Sequence, residues 1–229
     1  MKIIGIISSP HKNGSTSKLV REALSGAHDA GAETEDVYLS EMDIEYCVGC
    51  LQCLATENCI LKDDLNTLRE KVLQADGIIL GSPTYEADMN ARMKNFFDRI
   101  MPFTMYRSAM HDKYISTIST AGAFGAKDAV KRMSVLKLGF HKPGKISGTL
   151  GVLVGAGNIE AFLPKAYQLG KKIVSDIQLK KSYTFQSLVQ KFVYRLFVRR
   201  MMEKMIIAQN DGKRKGVYDY LKKAGLIKV

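Results

Sequence analysis

The feature that most constrains the fold is an alternation of short apolar segments with longer segments of helical periodicity. The first apolar segment, Lys2–Ile7, reads KIIGII. Consecutive β-branched residues of this kind are typical of a strand that is buried on both faces. Four more strands are predicted at residues 32–39, 77–81, 113–120 and 147–154. Strands that alternate with helices form a parallel sheet covered by helices on both sides.

Five such units match an α/β fold, the flavodoxin-like doubly wound five-stranded parallel sheet, with strand order 2-1-3-4-5. Ligands of open sheets bind beyond the carboxyl ends of the strands, where the winding reverses. That point lies between strands 1 and 3, so we predict a crevice between the loops after Ile7 and Gly81. We divide the chain into this domain, residues 1–181, and a C-terminal helical extension, residues 182–229.

The basic charge of the chain is concentrated in the extension. The formal net charge is +11, of which residues 180–229 carry +10 and the rest only +1. Apolar residues recur there at helical spacing between Phe185 and Met205, which indicates a long amphipathic helix. Such a helix packs on its own domain, on another subunit or on an anionic membrane. We favour packing in a homodimer or homotetramer over membrane-surface contact, and no nucleic-acid reading module is recognisable.

We expect the chain to be cytoplasmic. The first residues lead directly into an apolar strand without the pattern of a secretory signal. No apolar run approaches the roughly 20 residues that span a bilayer. In a reducing compartment, clustered thiols serve metal binding or redox chemistry more often than structural disulfides.

All the cysteines of the chain lie within thirteen positions, which marks them as one site. They are Cys47, Cys50, Cys53 and Cys59, in the pattern C-x2-C-x2-C-x5-C on a long loop. Iron-sulfur clusters and tetrahedral zinc both accept four thiolates. Structural zinc usually uses two separated C-x2-C pairs, so three cysteines in seven residues better suit a cluster. A site that holds no metal is the third interpretation.

Three loops at predicted strand ends favour a phosphate-bearing planar ligand. In the first loop, Ser9, Ser15 and Thr16 offer hydroxyl groups beside the free amides of a helix N-terminus, although an ordinary polar turn has the same composition. The second loop carries the rigid Pro83 and the aromatic Tyr85. The third, residues 120–123, has small side chains that admit a flat ring. Together the loops predict a site for flavin mononucleotide (FMN).

Four segments, in order, resemble the NAD(P)H-dependent FMN reductase superfamily: SSPHKNGSTSKL, the cysteines followed by CILKDDL, ADGIILGSPTY, and MKNFFDR. The cysteine run is similar, more narrowly, to the iron-sulfur flavoproteins of archaea and anaerobic bacteria. The resemblance covers about residues 1–180. Two positions depart from it, because Ser8 and His11 stand where the family commonly has Gly and Arg.

The resemblance implies a set of cofactor-binding residues. Contacts to the FMN phosphate fall on the first loop, at Ser9, His11, Ser15, Thr16 and Ser17. Contacts to the rest of the flavin fall on Pro83, Thr84, Tyr85, Thr120, Ala121 and Gly122. A 4Fe-4S cluster is implied on Cys47, Cys50, Cys53 and Cys59.

The expected function is therefore redox chemistry through FMN and the cluster. Electrons would enter from ferredoxin or NAD(P)H and leave to a small acceptor, such as a quinone, a nitro compound or an oxygen species. We predict no catalytic side chain, since the cofactors carry the reaction. The alternatives are an FMN, quinone or nitro reductase without a cluster, and a non-enzymatic flavodoxin-like electron carrier.

Overall fold

The computed structural model describes residues 1–139, 142–155, 159–183 and 199–227. Five parallel strands lie in the order β2-β1-β3-β5-β6, and a two-residue strand β4 pairs antiparallel with β3. The strands are β1 Lys2–Ile7, β2 Glu33–Tyr38, β3 Gly77–Tyr85, β4 Asp88–Met89, β5 Tyr114–Ala121 and β6 Lys145–Leu153. The predicted 2-1-3-4-5 order of the parallel strands is confirmed.

Helices connect the strands on both sides of the sheet. They are α1 Ser15–Asp29, α2 Gln52–Thr56, α3 Leu65–Gln74, α4 Ala91–Tyr106, α5 Ala126–Met133, α6 Leu163–Gln178, α7 Arg199–Ile207 and α8 Lys215–Lys223. The sequence predicts that the helix after the third strand carries Met89, Met93, Phe96, Phe97 and Ile100. This prediction was wrong for Met89, which lies in β4. The helix starts later because the Asn90 side chain accepts a hydrogen bond from the Met93 amide at 3.1 Å and caps it.

The core has two layers, one on each face of the sheet. Consecutive residues of β1 alternate between them: Ile4 and Ile6 face the layer of α3, α4 and α5, whereas Ile3 and Ile7 face α1 and α6. Helices α1 and α6 pack closely, and a Cβ at Gly170 would lie 1.7 Å from the Ala23 carbonyl oxygen. Both faces of the central strands β1, β3 and β5 are thereby removed from water, as the continuous apolar runs of β1 and β3 predict.

A strained hairpin follows β3, which extends beyond the predicted end at Gly81 to Tyr85. Only Glu86 and Ala87 separate β3 from β4, and both adopt left-handed conformations, with φ of 49° and 61°. Two-residue hairpin loops with both residues at positive φ favour Asn-Gly or Asp-Gly. The hairpin was not predicted from the sequence, because Glu86-Ala87 is neither of these pairs.

The described part of the extension consists of α7, a turn and α8. The sequence Asn210-Asp211-Gly212 predicts a break in the helical pattern, and the turn contains these residues. Most of the predicted long helix lies outside the described residues, so its length is not tested. Within the ranges described, no helix is long and apolar enough to cross a membrane. Both α7 and α8 contribute to a third apolar cluster, in which Ile206, Val217, Tyr218 and Leu221 pack with Leu54 of α2.

The hairpin gives a prediction about stability. A non-glycine residue in the left-handed region costs about 1–2 kcal/mol, so Ala87→Gly should raise the free energy of unfolding by about 1 kcal/mol. Chemical denaturation measures the change. Ala123→Gly is the matched control, because Ala123 lies in an exposed loop without positive φ, and it should not stabilise. Equal or lower stability of Ala87→Gly would contradict the proposed strain.

Candidate functional site

The loop after β1 forms a compact turn around the carbonyl oxygen of His11. That oxygen accepts hydrogen bonds from the Gly14 amide at 3.0 Å and the Ser17 hydroxyl at 2.8 Å. The Ser9 hydroxyl accepts from the His11 amide at 3.2 Å. Ser9, His11 and Ser17 are therefore brought together, but Ser17 is fully buried and supports the turn. The His11 side chain lies on the exposed side of the loop.

The N-terminus of α1 retains its capacity to bind an anion. Gly14 occupies the N-cap position and provides no side-chain oxygen to the first helical amides. Within the described structure no side chain caps this helix, so the amides of its first turn favour a phosphate group. Ser15 is half-buried at this end of the helix, and the next residue, Thr16, is buried.

Hydroxyl groups connect the loops after β1, β3 and β5. Thr16 and Thr120 share a buried hydrogen bond of 2.6 Å between their Oγ1 atoms. The Ser119 hydroxyl donates to the Ser82 carbonyl oxygen at 2.7 Å and lies 2.8 Å from the Thr84 hydroxyl. The predicted loops therefore meet at the carboxyl edge of the sheet. Ser119 was not predicted, because a hydroxyl inside an apolar strand gave no separate signal.

The mouth of this crevice combines exposed aromatic rings with an open backbone. Tyr85 is 55% exposed and Phe124 is 71% exposed, the latter missed in the sequence analysis. Gly122 is exposed, and a Cβ built on it would have no heavy atom within 4 Å. Ala121 is buried at the end of β5, and Pro83 is half-buried in β3. Free amides for a phosphate and open space for a planar ring fit FMN.

The four cysteines line one cavity of about 150 Å³. All are free thiols; Cys47 and Cys50 are exposed, whereas Cys53 and Cys59 are half-buried. Asp98 and Arg99 also line the cavity, and apolar side chains form most of the remaining wall, among them Leu51, Leu54, Ile60, Leu61 and Pro102. The predicted loop also contains the short helix α2, which carries Cys53. Four sulfur donors around one apolar cavity have the chemistry that an iron-sulfur cluster requires.

The other three cysteines affect the pKa of Cys53, but the four thiols do not surround a single metal-ion position. Burial raises the pKa of Cys53, and the neighbouring Cys59, Cys47 and Cys50 raise it further. In the described ranges, no three His, Cys, Asp or Glu side chains lie close enough together to hold a metal ion. The structure therefore brings the four cysteines to one cavity without placing three of them around a single metal ion. A 4Fe-4S cluster has a different requirement, because each of its irons takes one thiolate.

Helix α4 holds both ends of the cysteine segment. The Asn95 amide group donates to the Ile44 and Glu45 carbonyl oxygens, each at 3.1 Å, and its oxygen accepts from the Cys47 amide at 3.3 Å. One turn later, Arg99 donates to the Glu45 carbonyl oxygen at 2.6 Å and to Cys59 Sγ at 3.2 Å. Both residues belong to the MKNFFDR segment, which was noticed only as a point of resemblance.

Arg99 is buried together with Asp63, and each side chain is 1% exposed. Their two hydrogen bonds measure 2.7 and 3.1 Å, which makes the ion pair bidentate. Burial opposes the charged form of Asp63, but hydrogen bonds from Arg99, Leu65 and Glu45 hold its pKa below the usual value. The carboxylate therefore stays ionised beside the cysteine cavity.

The C-terminal helix α8 packs directly on α2. A Cβ at Gly216 would lie 2.5 Å from the Ala55 carbonyl oxygen, so the two backbones are in close contact. Cys53 packs against the apolar cluster that Leu54 forms with Val217 and Leu221. The described part of the extension therefore covers the cysteine-bearing helix, which the charge pattern alone did not predict.

The doubly wound sheet with a crevice at its carboxyl edge is the flavodoxin-like α/β fold. The model of the NADPH-dependent FMN reductase family matches residues 1–142. The chain belongs to this family, and it is an FMN-dependent oxidoreductase.

Relatives support the same assignment. An iron-sulfur flavoprotein of Archaeoglobus fulgidus is 36% identical over 182 residues, which cover 79% of this chain and 82% of the relative. An iron-sulfur flavoprotein of Clostridioides difficile is 29% identical over 99% of this chain and 100% of the relative, so the match includes the extension. A solved flavone reductase superposes with a TM-score of 0.63 and 25% identity, over 78% of this chain and 63% of that protein.

The open space at Gly122 generates the first prediction for the site. Gly122→Val should leave the fold intact but place a side chain in the crevice, weakening FMN binding at least about tenfold, or about 1.4 kcal/mol. Quenching of FMN fluorescence during titration gives the dissociation constant. Gly212→Val is the control, because Gly212 also has open space around it but lies in the turn before α8. Unchanged FMN affinity in Gly122→Val would place the flavin elsewhere.

The close contact at Gly216 generates the second prediction for the site. Gly216→Val should push α8 away from α2 and uncover Cys53, so that iodoacetamide modifies Cys53 at least several-fold faster in the metal-free protein. Peptide mass spectrometry follows each cysteine separately. Gly212→Val is again the control. Gly225 is not used, because its positive φ of 66° would make any side chain there strained. If Cys53 reacts at the wild-type rate, α8 does not cover it.

Proposed function

We propose that this chain is an iron-sulfur flavoprotein, in which FMN and a 4Fe-4S cluster pass electrons between a donor and a small acceptor. The observation that carries the proposal is the single cavity lined by four free thiols, in a chain of a flavin-binding family. The names of the relatives from Archaeoglobus fulgidus and Clostridioides difficile also support it.

Each cofactor has candidate residues of its own. The α1 N-terminus and the loop residues Ser9, Ser15 and Thr16 would bind the FMN phosphate, with His11 at the exposed rim. The residues Pro83, Thr84, Tyr85, Thr120, Ala121 and Gly122 would surround the remainder of the flavin. Cys47, Cys50, Cys53 and Cys59 would hold the cluster.

The cofactors supply the electron chemistry, since FMN takes up one or two electrons and a 4Fe-4S cluster takes up one. The protein contributes position and environment. Leu51, Leu54 and Ile60 keep the cysteine cavity apolar, which limits the access of water to thiolate ligands. Arg99 and Asn95 fix the loop from the side of α4.

The donor and acceptor follow from charge and family. We infer that a ferredoxin or NAD(P)H supplies electrons and that a quinone, nitro compound or oxygen species accepts them. Residues 180–229, which include the whole extension, have a net charge of +10 that would attract an acidic ferredoxin. We further propose that the protein acts in the cytoplasm as a homodimer or homotetramer, with the extension at a subunit contact.

The description of the family favours a second candidate, an FMN-dependent NAD(P)H reductase without a cluster, because it names an NADPH-dependent FMN reductase. In this case the thiols would serve only the structure of the loop.

Anaerobic reconstitution with ferrous iron and sulfide separates the candidates. The first predicts about four iron atoms per chain and a broad visible absorption that dithionite bleaches, in addition to the flavin bands. Cys59→Ser should lose most of this iron, whereas the matched variant Asn58→Ser, at the exposed neighbouring position, should keep it. Bound flavin with no iron in the wild type would support the reductase and exclude the cluster.

A further inference from the structure

We propose that Arg99 is a positioning residue that raises the reduction potential of the cluster by donating a hydrogen bond to the sulfur of Cys59. The inference rests on the proposed function, because it concerns the environment of the cluster. It assigns a role to one side chain of α4, and it predicts the direction in which two charge changes move the potential.

The geometry directs the guanidinium group at Cys59. Nη1 donates to Asp63 Oδ2 at 2.7 Å and to the Glu45 carbonyl oxygen at 2.6 Å. Nη2 donates to Asp63 Oδ1 at 3.1 Å and to Cys59 Sγ at 3.2 Å. The bidentate contact with Asp63 fixes the plane of the group, so the second hydrogen of Nη2 has a fixed direction. Asp63 therefore orients Arg99, and Arg99 orients the sulfur.

The position of the pair strengthens its electrostatic effect. Both side chains are 1% exposed, so water does not screen the charge of Arg99 as it would on the surface. The pair also lies against the wall of the cysteine cavity, which Arg99 lines together with Asp98 and Pro102. A positive charge in contact with one sulfur acts at the shortest range that the cavity allows.

Reduction adds one electron to the cluster and its thiolate ligands, so the reduced form carries one more negative charge. A hydrogen bond from a cation stabilises the more negative form more strongly, and hydrogen bonds to the sulfurs are known determinants of cluster potential. Loss of Arg99 should therefore lower the potential. Asp63 has the opposite charge and partly offsets Arg99, so its neutralisation should raise the potential.

A purely structural role for Arg99 makes a different prediction. If the ion pair only holds the loop in place, then Arg99→Gln and Asp63→Asn remove the same brace. Both variants would then loosen the cluster in the same way and shift its potential in the same direction. Opposite shifts distinguish the electrostatic role from the structural one.

The test is a redox titration of the reconstituted, FMN-loaded protein, followed by electron paramagnetic resonance of the reduced cluster. At a fixed ambient potential, Arg99→Gln should lower the ratio of reduced to oxidised cluster at least about tenfold, which corresponds to about 59 mV for one electron. Asp63→Asn should raise that ratio. Arg99→Lys keeps the charge without the fork and should lie between Arg99→Gln and the wild type.

Arg69→Gln is the matched control. Arg69 also touches the cysteine loop, through the Glu57 carbonyl oxygen at 3.4 Å, and lies 4.6 Å from the centroid of the Phe103 ring, but it reaches no sulfur atom. The reduction potential of the cluster in Arg69→Gln should equal that in the wild type. Iron content is measured for every variant, so that each potential is assigned to a protein of known cluster occupancy.

The two levels of the hypothesis fail separately. A wild-type protein that binds no iron overturns the proposed function and, with it, this inference. A wild type that holds the cluster while Arg99→Gln keeps its potential overturns the inference alone, as do shifts of the same sign in Arg99→Gln and Asp63→Asn. If Arg99→Gln does not fold, Arg99→Lys and Asp63→Asn still give the sign of the effect.

Discussion

The buried ion pair of Arg99 with Asp63 is the interaction on which the organisation of the cysteine segment depends. It joins α4 to the chain directly after the last cysteine, and the same guanidinium group reaches the backbone before the first one. Removal of one partner of a buried pair typically costs about 3–5 kcal/mol, because the other charge is left without compensation. Each of the two side chains is only 1% exposed, and the cysteine loop that they hold has few other buried residues. Loss of either side chain would therefore destabilise mainly this loop.

Helix α4 connects this loop to the flavin crevice. At its N-terminus, the Asn90 side chain donates to the Ser8 carbonyl oxygen at 2.9 Å, and the Asn90 amide donates to the Ser82 hydroxyl at 3.0 Å. Nine residues later Arg99 reaches Cys59. A rise of 1.5 Å per residue separates these two positions by about 14 Å along the helix. One rigid element therefore sets the distance between the predicted flavin loops and the cysteine cavity within a single chain.

The sequence was sufficient to predict the sheet because its signal is local and repeated. Most of the parallel strands are short apolar runs, and the predicted strand order is confirmed. The hydrogen bond between Thr16 and Thr120 shows that the first and third predicted loops meet at one edge of the sheet. Long-range polar contacts gave no such signal. Asn95 and Arg99 look like ordinary polar positions on an amphipathic helix, and only the folded chain shows that they face the cysteine loop rather than water. The Glu86–Ala87 hairpin was missed for a related reason, since tertiary contacts hold a turn that its residues do not favour.

The extension has a physical reason to pack on the cysteine loop. Helix α2 has only five residues, and Leu51 and Glu57 at its two ends both adopt positive φ, at 60° and 66°. A helix this short is not stable by itself, and each left-handed residue adds about 1–2 kcal/mol of strain. Burial of Leu54 beneath α8 contributes about 1.5–3 kcal/mol in the opposite direction. At the C-terminal end of α2, Glu57 forms an ion pair with Arg107, which follows α4. The conformation of the cysteine loop is thus determined from two sides, by α4 at its ends and by the extension at its centre. The boundary predicted at residue 181 therefore separates two segments that stabilise the same site.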